Sequence, residues 1–326
     1  MGMLGIVLAV YTAFAAAAGV PPRAPRKLHA RCVACFSRGS AVGQLGFRPA
    51  NPDSGEMTVP SSFAISRDGE IAVADAANGT AAIYSKRGRF VRIAWRAGQR
   101  FFGLTGVRFM PDKSLLVCTG TQLLRLRAGG GTPEVVFGGR IGGPLIRSES
   151  YGSAWIQVDS SGAIYWVEER RGEPVEGGLP RCLVKRRGGR VEVWRGIRDF
   201  AVTPAGRTFV VGPDGAELPR NSVVIHRPRG VSGFHLIGAS RAGVYFTWTG
   251  GRGEGLGRVS GVSTLLWDAR RDIMWPGERL VSDPEGGIGY WIVDYHVAPD
   301  GGVYAMAVAP QRRKGYVCIL ELSETG

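Results

Sequence analysis

With 326 residues, 44% of them hydrophobic and 21% charged, the chain is too apolar to be disordered despite fifty glycines and nineteen prolines. The formal charge of +14 arises from 41 basic against 27 acidic residues. The basic residues are strewn through hairpins (Arg87, Arg89, Arg125, Arg127, Lys185, Arg186) instead of clustering on one element with stacking aromatics, which speaks against nucleic acid as a partner and suits strand edges that must repel further strands.

The first stretch, Met3 to Val20, carries no charge and ends in small residues between Ala15 and Gly19. An apolar core of this length with Ala-x-Ala choices behind it predicts an export signal, although no Lys or Arg precedes the core. An uncleaved anchor is the competing reading, since eighteen apolar residues are just enough to span a bilayer. The expected organisation is a signal peptide or anchor over 1–18, a linker over 19–27 and one domain over 28–326, located outside the cytoplasm and bound to a membrane only through the N-terminal segment.

From Pro60 to Trp95 the chain reads as four short alternating runs, Ser62 to Ser66, Glu70 to Asp75, Ala81 to Ser85 and Phe90 to Trp95, separated by Asp-Gly, Asn-Gly and Arg-Gly signals. Gly and Asn tolerate the positive φ of tight turns, so these runs predict antiparallel strands joined by hairpins. The two inner strands form a template that returns around Lys113, Gly162, Gly206, Gly243 and Gly301, at intervals of 44, 49, 44, 37 and 58 residues from Gly69 onward. A period in the forties with four strands per copy predicts an all-β fold, a six-bladed β-propeller with four-stranded blades, because one small sheet cannot bury both faces until neighbours stack on it.

The outer strands are unevenly supplied. Pairs such as AAIYSKRGRFVRIAW and RCLVKRRGGRVEVW complete early blades, the fourth blade offers SVVIHR without an evident fourth strand, and the last has only GYVCILELS before Gly326. Leu28 to Phe36 has strand character and no other place, so it is expected to complete the last blade and close the ring. Aromatics near blade ends (Trp95, Phe137, Trp194, Trp267, Trp275) are expected to pack blade against blade.

The segment PSSFAISRDGEIAVADAANGTAAIYSKRGRFV resembles the NHL-repeat propellers and their relatives in the lactonase-like six-bladed group, with a Pro-led first strand, an Asp-Gly turn, Asp75 followed by Asn78, and a Gly-Arg-Phe hairpin. The resemblance covers about 35 residues and fades afterwards: the places of Asp75 and Asn78 are taken by Thr119 with Gln122 and by Glu168 with Arg171. It implies a ring-shaped binding scaffold, in a group that includes protein binders, RNA binders, lyases and hydrolases. Asp75 and Asn78 themselves are read as a turn-capping Asx element.

Candidate site residues follow from propeller geometry, in which first strands line the channel. Asp199 and Asp294 fall on such strands, where a carboxylate must be hydrated or paired, with Arg198 or Arg108 available. His296 lies two residues after Asp294 and so on the same face, and His235 holds a similar place in the fifth copy. An Asp-His pair supports general-base chemistry or metal binding, and equally a satisfied polar pair in a wet channel. Glu168 opens the long loop to Arg181, the first place to seek a partner. The carboxylates there and nearby (Glu169, Glu173, Glu176, Asp214, Glu217, Glu254) suit a divalent cation such as calcium, although the metal trio of the lactonase-like relatives does not map onto this chain.

Five cysteines are an odd number and predict no disulfide framework. Cys118, Cys182 and Cys318 sit in strand-like runs as small buried hydrophobes, while the Cys32 and Cys35 pair lacks the context of a redox, zinc or haem motif. The expected function is an exported, monomeric binding or scaffold module for a protein, glycan or small ligand on its loop face. The competing reading is a metal-dependent enzyme of the lactonase or lyase kind with its site at the channel mouth.

Overall fold

The computed structural model describes residues 27–49, 57–97, 103–119, 122–138, 156–169, 181–212, 216–227, 231, 233–250, 253–260, 263–268, 273–274, 291–309 and 312–324. The proposed signal segment therefore lies outside the described residues.

Strand β1 (Leu28–Phe36) precedes the first sheet, which is built of β2 (Ser62–Ile65), β3 (Ile71–Asp75), β4 (Thr80–Tyr84) and β5 (Phe90–Arg96). The second contains β6 (Gly106–Phe109), β7 (Leu115–Cys118), β8 (Gln122–Leu126) and β9 (Glu134–Gly138), and the third β10 (Ile156–Val158), β11 (Ile164–Glu169), β12 (Arg181–Arg187) and β13 (Arg190–Arg195). The fourth holds β14 (Asp199–Val202), β15 (Thr208–Val211) and β16 (Val223–Val224), the last of these parallel to β15. No fourth strand of this blade appears among the described residues. The fifth has β17 (Gly233–Ser240), β18 (Gly243–Gly250), β19 (Gly253–Ser260) and β20 (Ser263–Asp268). The two-residue β21 (Ile273–Met274) then leads to β22 (Trp291–Val297), β23 (Val303–Val308) and β24 (Val317–Glu324).

The protein is a six-bladed β-propeller. Innermost strands β2, β6, β10, β14, β17 and β22 each lie against the next, and β22 returns to β2. The ring closes as expected: β1 is antiparallel to β24 over eight residue pairs, from Leu28 opposite Glu324 to Phe36 opposite Val317, and β21 adds a short parallel edge. Arg31 and Glu321 form an ion pair across the same seam.

Six hydrophobic clusters hold the ring, each filled from two neighbouring blades. Every residue of β3 and of β4 is buried, because sheets press on both their faces; small Ala72, Ala74, Ala81 and Ala82 allow that close approach. Trp95, Phe137, Trp194 and Trp267 join these inter-blade clusters, and Trp275 lies outside the described residues.

The six template turn centres all take positive φ: Gly69 83°, Lys113 66°, Gly162 79°, Gly206 81°, Gly243 143° and Gly301 91°. Five are glycine, for which this backbone carries no steric penalty, and Lys113 is the exception.

One expectation is overturned. Cys318 is bonded to Cys35, 283 residues away, so this cysteine is a covalent clasp on the seam and not merely a small hydrophobe. The pairing depends on the register of β1 on β24, which no local spacing reveals. Cys118 and Cys182 are buried thiols, as expected.

Candidate functional site: the axial cavity

The innermost strand of each blade has one edge with no partner in its own sheet, and its backbone groups must be satisfied from elsewhere. Polar side chains from adjacent blades do this. The amide of Phe63 in β2 donates to Asp294 Oδ2 of β22 at 3.2 Å, and Arg108 Nη1 of β6 donates to the Phe63 carbonyl at 3.1 Å. Between the third and fourth blades, Gln157 Nε2 donates to the Phe200 carbonyl at 3.1 Å and the Val202 amide donates to Gln157 Oε1 at 2.7 Å. The Leu236 amide of the fifth blade donates to Asp199 Oδ2 of the fourth at 2.7 Å. These residues are first of all stitches between blades.

Where the innermost strands run into their template turns, the ring encloses a cavity of about 320 Å³ to which all six blades contribute. Its walls are mainly apolar, with Ile65, Met110, Val158, Val202, Ile237 and Val297 among them, and Arg108, Gln157 and His296 supply polar groups. Lys113 and Asp68 on neighbouring turns pair at 2.7 Å and also line it.

The electrostatics are set by burial. Arg108 is 5% exposed; burial pulls its guanidinium down to about 10, with the nearby Asp294 pulling the other way. Asp294 is wholly buried. His296 is 6% exposed, and its basicity is driven well below the ordinary 6.5 by burial first and by the Arg108 charge second, against a backbone hydrogen bond with Ile65. The ring is neutral at pH 7 and packs edge-on to Phe63, centroids 5.7 Å apart. Its Nε2 is buried and has no hydrogen-bond partner among the described residues, an arrangement that holds a proton acceptor or donor in reserve.

The residues expected from the sequence divide. Asp294 and His296 share a face of β22 as expected, since both follow the irregularity at Val293 and pair with Met306 and Tyr304. Together with Arg108 they form one buried group. Asp199 and His235 sit toward the opposite end of the channel, with His235 Nδ1 3.6 Å from Asp199 Oδ2 and the imidazole 40% exposed. Glu168, paired with Cys182 near the far end of β11, lies away from the cavity. Glu173, Glu176 and Asp214 fall outside the described residues, so the acidic loops contribute no described metal site. The loop face expected to bind a partner is the opposite end of the ring from this cavity: Asp75, where one such loop begins, directly follows Ala74, the partner of Ser62, whereas the cavity begins at Ile65 at the other end of β2.

Gln157 is the residue that sequence reasoning passed over. Its signal was positional: it occupies the same innermost strand of the template as Arg108 and Asp294. The template turns that revealed the repeat are themselves the cavity rim.

No protein-family model matches the chain, and no curated protein matches it significantly. Among solved structures, a streptogramin B lyase is similar over 92% of this chain and 98% of its own, at 12% identity and a TM-score of 0.47. Virginiamycin B lyase from Staphylococcus aureus is similar over 92% and 99%, at 12% identity and 0.46. A gluconolactonase from Xanthomonas campestris is similar over 94% and 99%, at 13% identity and 0.46. These likenesses are distant, and the six-bladed ring rests on the strand pairing itself.

Proposed function

We propose that the protein binds a small, largely apolar molecule in the axial cavity, with the ligand's polar group directed to the His296, Arg108 and Gln157 side. The observation that carries this reading is the meeting of six blades on a cavity with apolar walls and a buried imidazole whose Nε2 has no partner among the described residues. Concave, mostly apolar sites with a few convergent polar groups are the usual form of small-molecule sites, and about 320 Å³ lies at the small end of their range. The Arg108 charge already faces Asp294, which favours a neutral hydrogen-bonding group over a strongly acidic one.

The neutral state of His296 favours a second reading, catalysis of the lyase or lactonase kind. An uncharged buried imidazole can take a proton from carbon or from water, and the adjacent guanidinium would stabilise negative charge developing on the substrate. Export through residues 1–18 remains part of the proposal, and N-terminal sequencing of the mature protein tests it.

A thermal-shift screen with a panel of small neutral and monoanionic compounds separates these readings. Binding predicts compounds that raise the unfolding temperature of the wild type and not of His296→Gln. Catalysis predicts in addition that some of these compounds are converted. A panel that leaves the wild type unmoved, or moves both proteins equally, overturns the cavity as the site.

A further inference from the structure

The seam between the chain ends carries chemistry that ring closure alone does not need. Cys35 is bonded to Cys318 across β1 and β24. Cys32, three residues before Cys35, keeps a free and exposed thiol. In a regular strand an odd separation sends two side chains to opposite faces, and these sulfurs would be far apart. Here the register slips: Cys32 lies opposite Leu320, Ala34 opposite Ile319 and Cys35 opposite Cys318.

Val33 is therefore an extra residue in β1, and such a bulge re-aims the side chains on either side of it. It brings Cys32 and Cys35 to the same exposed face while Ala34 between them is buried. The Sγ atoms of Cys32 and Cys35 are 2.9 Å apart, and the three sulfurs lie within 4.8 Å of one another. Cys32 Sγ also donates to the Ala34 carbonyl at 3.7 Å. Cys35 thus stands within reach of two partners, one at the far end of the chain and one on its own strand.

We propose that this seam is a thiol–disulfide exchange centre in which Cys32 attacks the Cys35 sulfur and displaces Cys318. The Cys32 thiolate forms the new Cys32–Cys35 bond, the Cys35–Cys318 bond breaks, and Cys318 leaves as a thiolate that takes up a proton. One disulfide and one thiol exist before and after, so no oxidant or reductant is consumed, and the proton released by Cys32 balances the one gained by Cys318. In the first state the bond spans 283 residues and clasps the ring; in the second it closes only a local loop in β1. The seam then depends on strand pairing and the Arg31–Glu321 ion pair.

The full-length protein tests this without any ligand. It is incubated at mildly alkaline pH without added thiol, quenched with acid, unfolded in guanidinium and labelled with a maleimide, and its disulfides are mapped by mass spectrometry. Two species are expected in the wild type, Cys35–Cys318 with Cys32 labelled and Cys32–Cys35 with Cys318 labelled, approaching a fixed ratio with time. In Cys32→Ser, which changes one exposed atom and is checked by circular dichroism for retained fold, labelling of Cys318 should be at least tenfold lower. A wild type that labels Cys318 no more than Cys32→Ser overturns the proposal. So does a seam in which all three sulfurs are reduced or hold a metal ion in stoichiometric amount.

Discussion

Asp294 and Arg108 meet across a single residue: one accepts from the amide of Phe63 and the other donates to its carbonyl, at 3.2 and 3.1 Å. Blade six and blade two are thereby tied through the innermost strand of blade one. Because Asp294 is wholly buried and Arg108 nearly so, removing the acid leaves a buried cation facing an unsatisfied amide. Asp294→Ala is expected to lower stability by about 3–5 kcal/mol, with Asp294→Asn less harmful. Urea unfolding of both variants checks this. An Asp294→Ala midpoint equal to wild type would show that the stitch contributes nothing.

His296 should leave a pH signature in stability. Its folded-state basicity lies below the ordinary 6.5, so below that pH the unfolded chain binds a proton that the folded protein refuses. Stability therefore falls as pH drops from about 6.5 toward the folded-state value, and this group contributes no pH dependence above 6.5. His296→Gln should flatten that limb of the stability curve while leaving the neutral-pH midpoint within about 1 kcal/mol. An unchanged slope between wild type and variant would mean that the imidazole is protonated in the fold.

How much of this was legible beforehand depended on whether the cause was local. Turn chemistry is local: every template centre, from Gly69 to Gly301, does take positive φ, and the surplus strand Leu28–Phe36 takes the place expected for it on the last blade. The stitches are not. Asp199 binds the amide of Leu236, 37 residues on, and Asp294 that of Phe63, 231 residues away; a sequence shows that such a carboxylate needs a partner without saying which backbone group supplies it. The disulfide was hidden for the same reason, with one more layer, since Cys35 meets Cys318 only through a register that includes the bulge at Val33.

Lys113 holds a left-handed backbone where four of the corresponding turns have glycine at φ between 79° and 91°. Its side chain recovers little, because the pair with Asp68 is exposed on both sides and open to solvent screening. Lys113→Gly should therefore relieve the strain of one left-handed residue and raise the unfolding temperature by about 2 °C. Calorimetry at moderate salt reads it; a lowered temperature would mean that the pair with Asp68 outweighs the backbone.

Gly46 tests how the segment after β1 is fastened to the first blade. Its amide donates to Asp75 Oδ2 at 2.8 Å and its carbonyl accepts from the Tyr316 hydroxyl at 3.0 Å, so it is gripped from blade one and blade six at once. Asn78 closes the same knot, donating its amide to Asp75 Oδ1 at 3.1 Å and its side-chain nitrogen to Asp75 Oδ2 at 2.9 Å. A methyl on Gly46 would lie 2.7 Å from Asn78 Cγ and 2.8 Å from Ala77 Cβ, closer than packed atoms tolerate. Gly46→Ala is expected to destabilise by about 1–3 kcal/mol, whereas Gly129→Ala, with nothing within 4 Å of the added carbon, should be near neutral. In an Asn78→Ala background part of the collision disappears, so the two substitutions should cost less together than the sum of each alone. Strict additivity in that cycle would place the strain elsewhere and detach Asn78 from the knot.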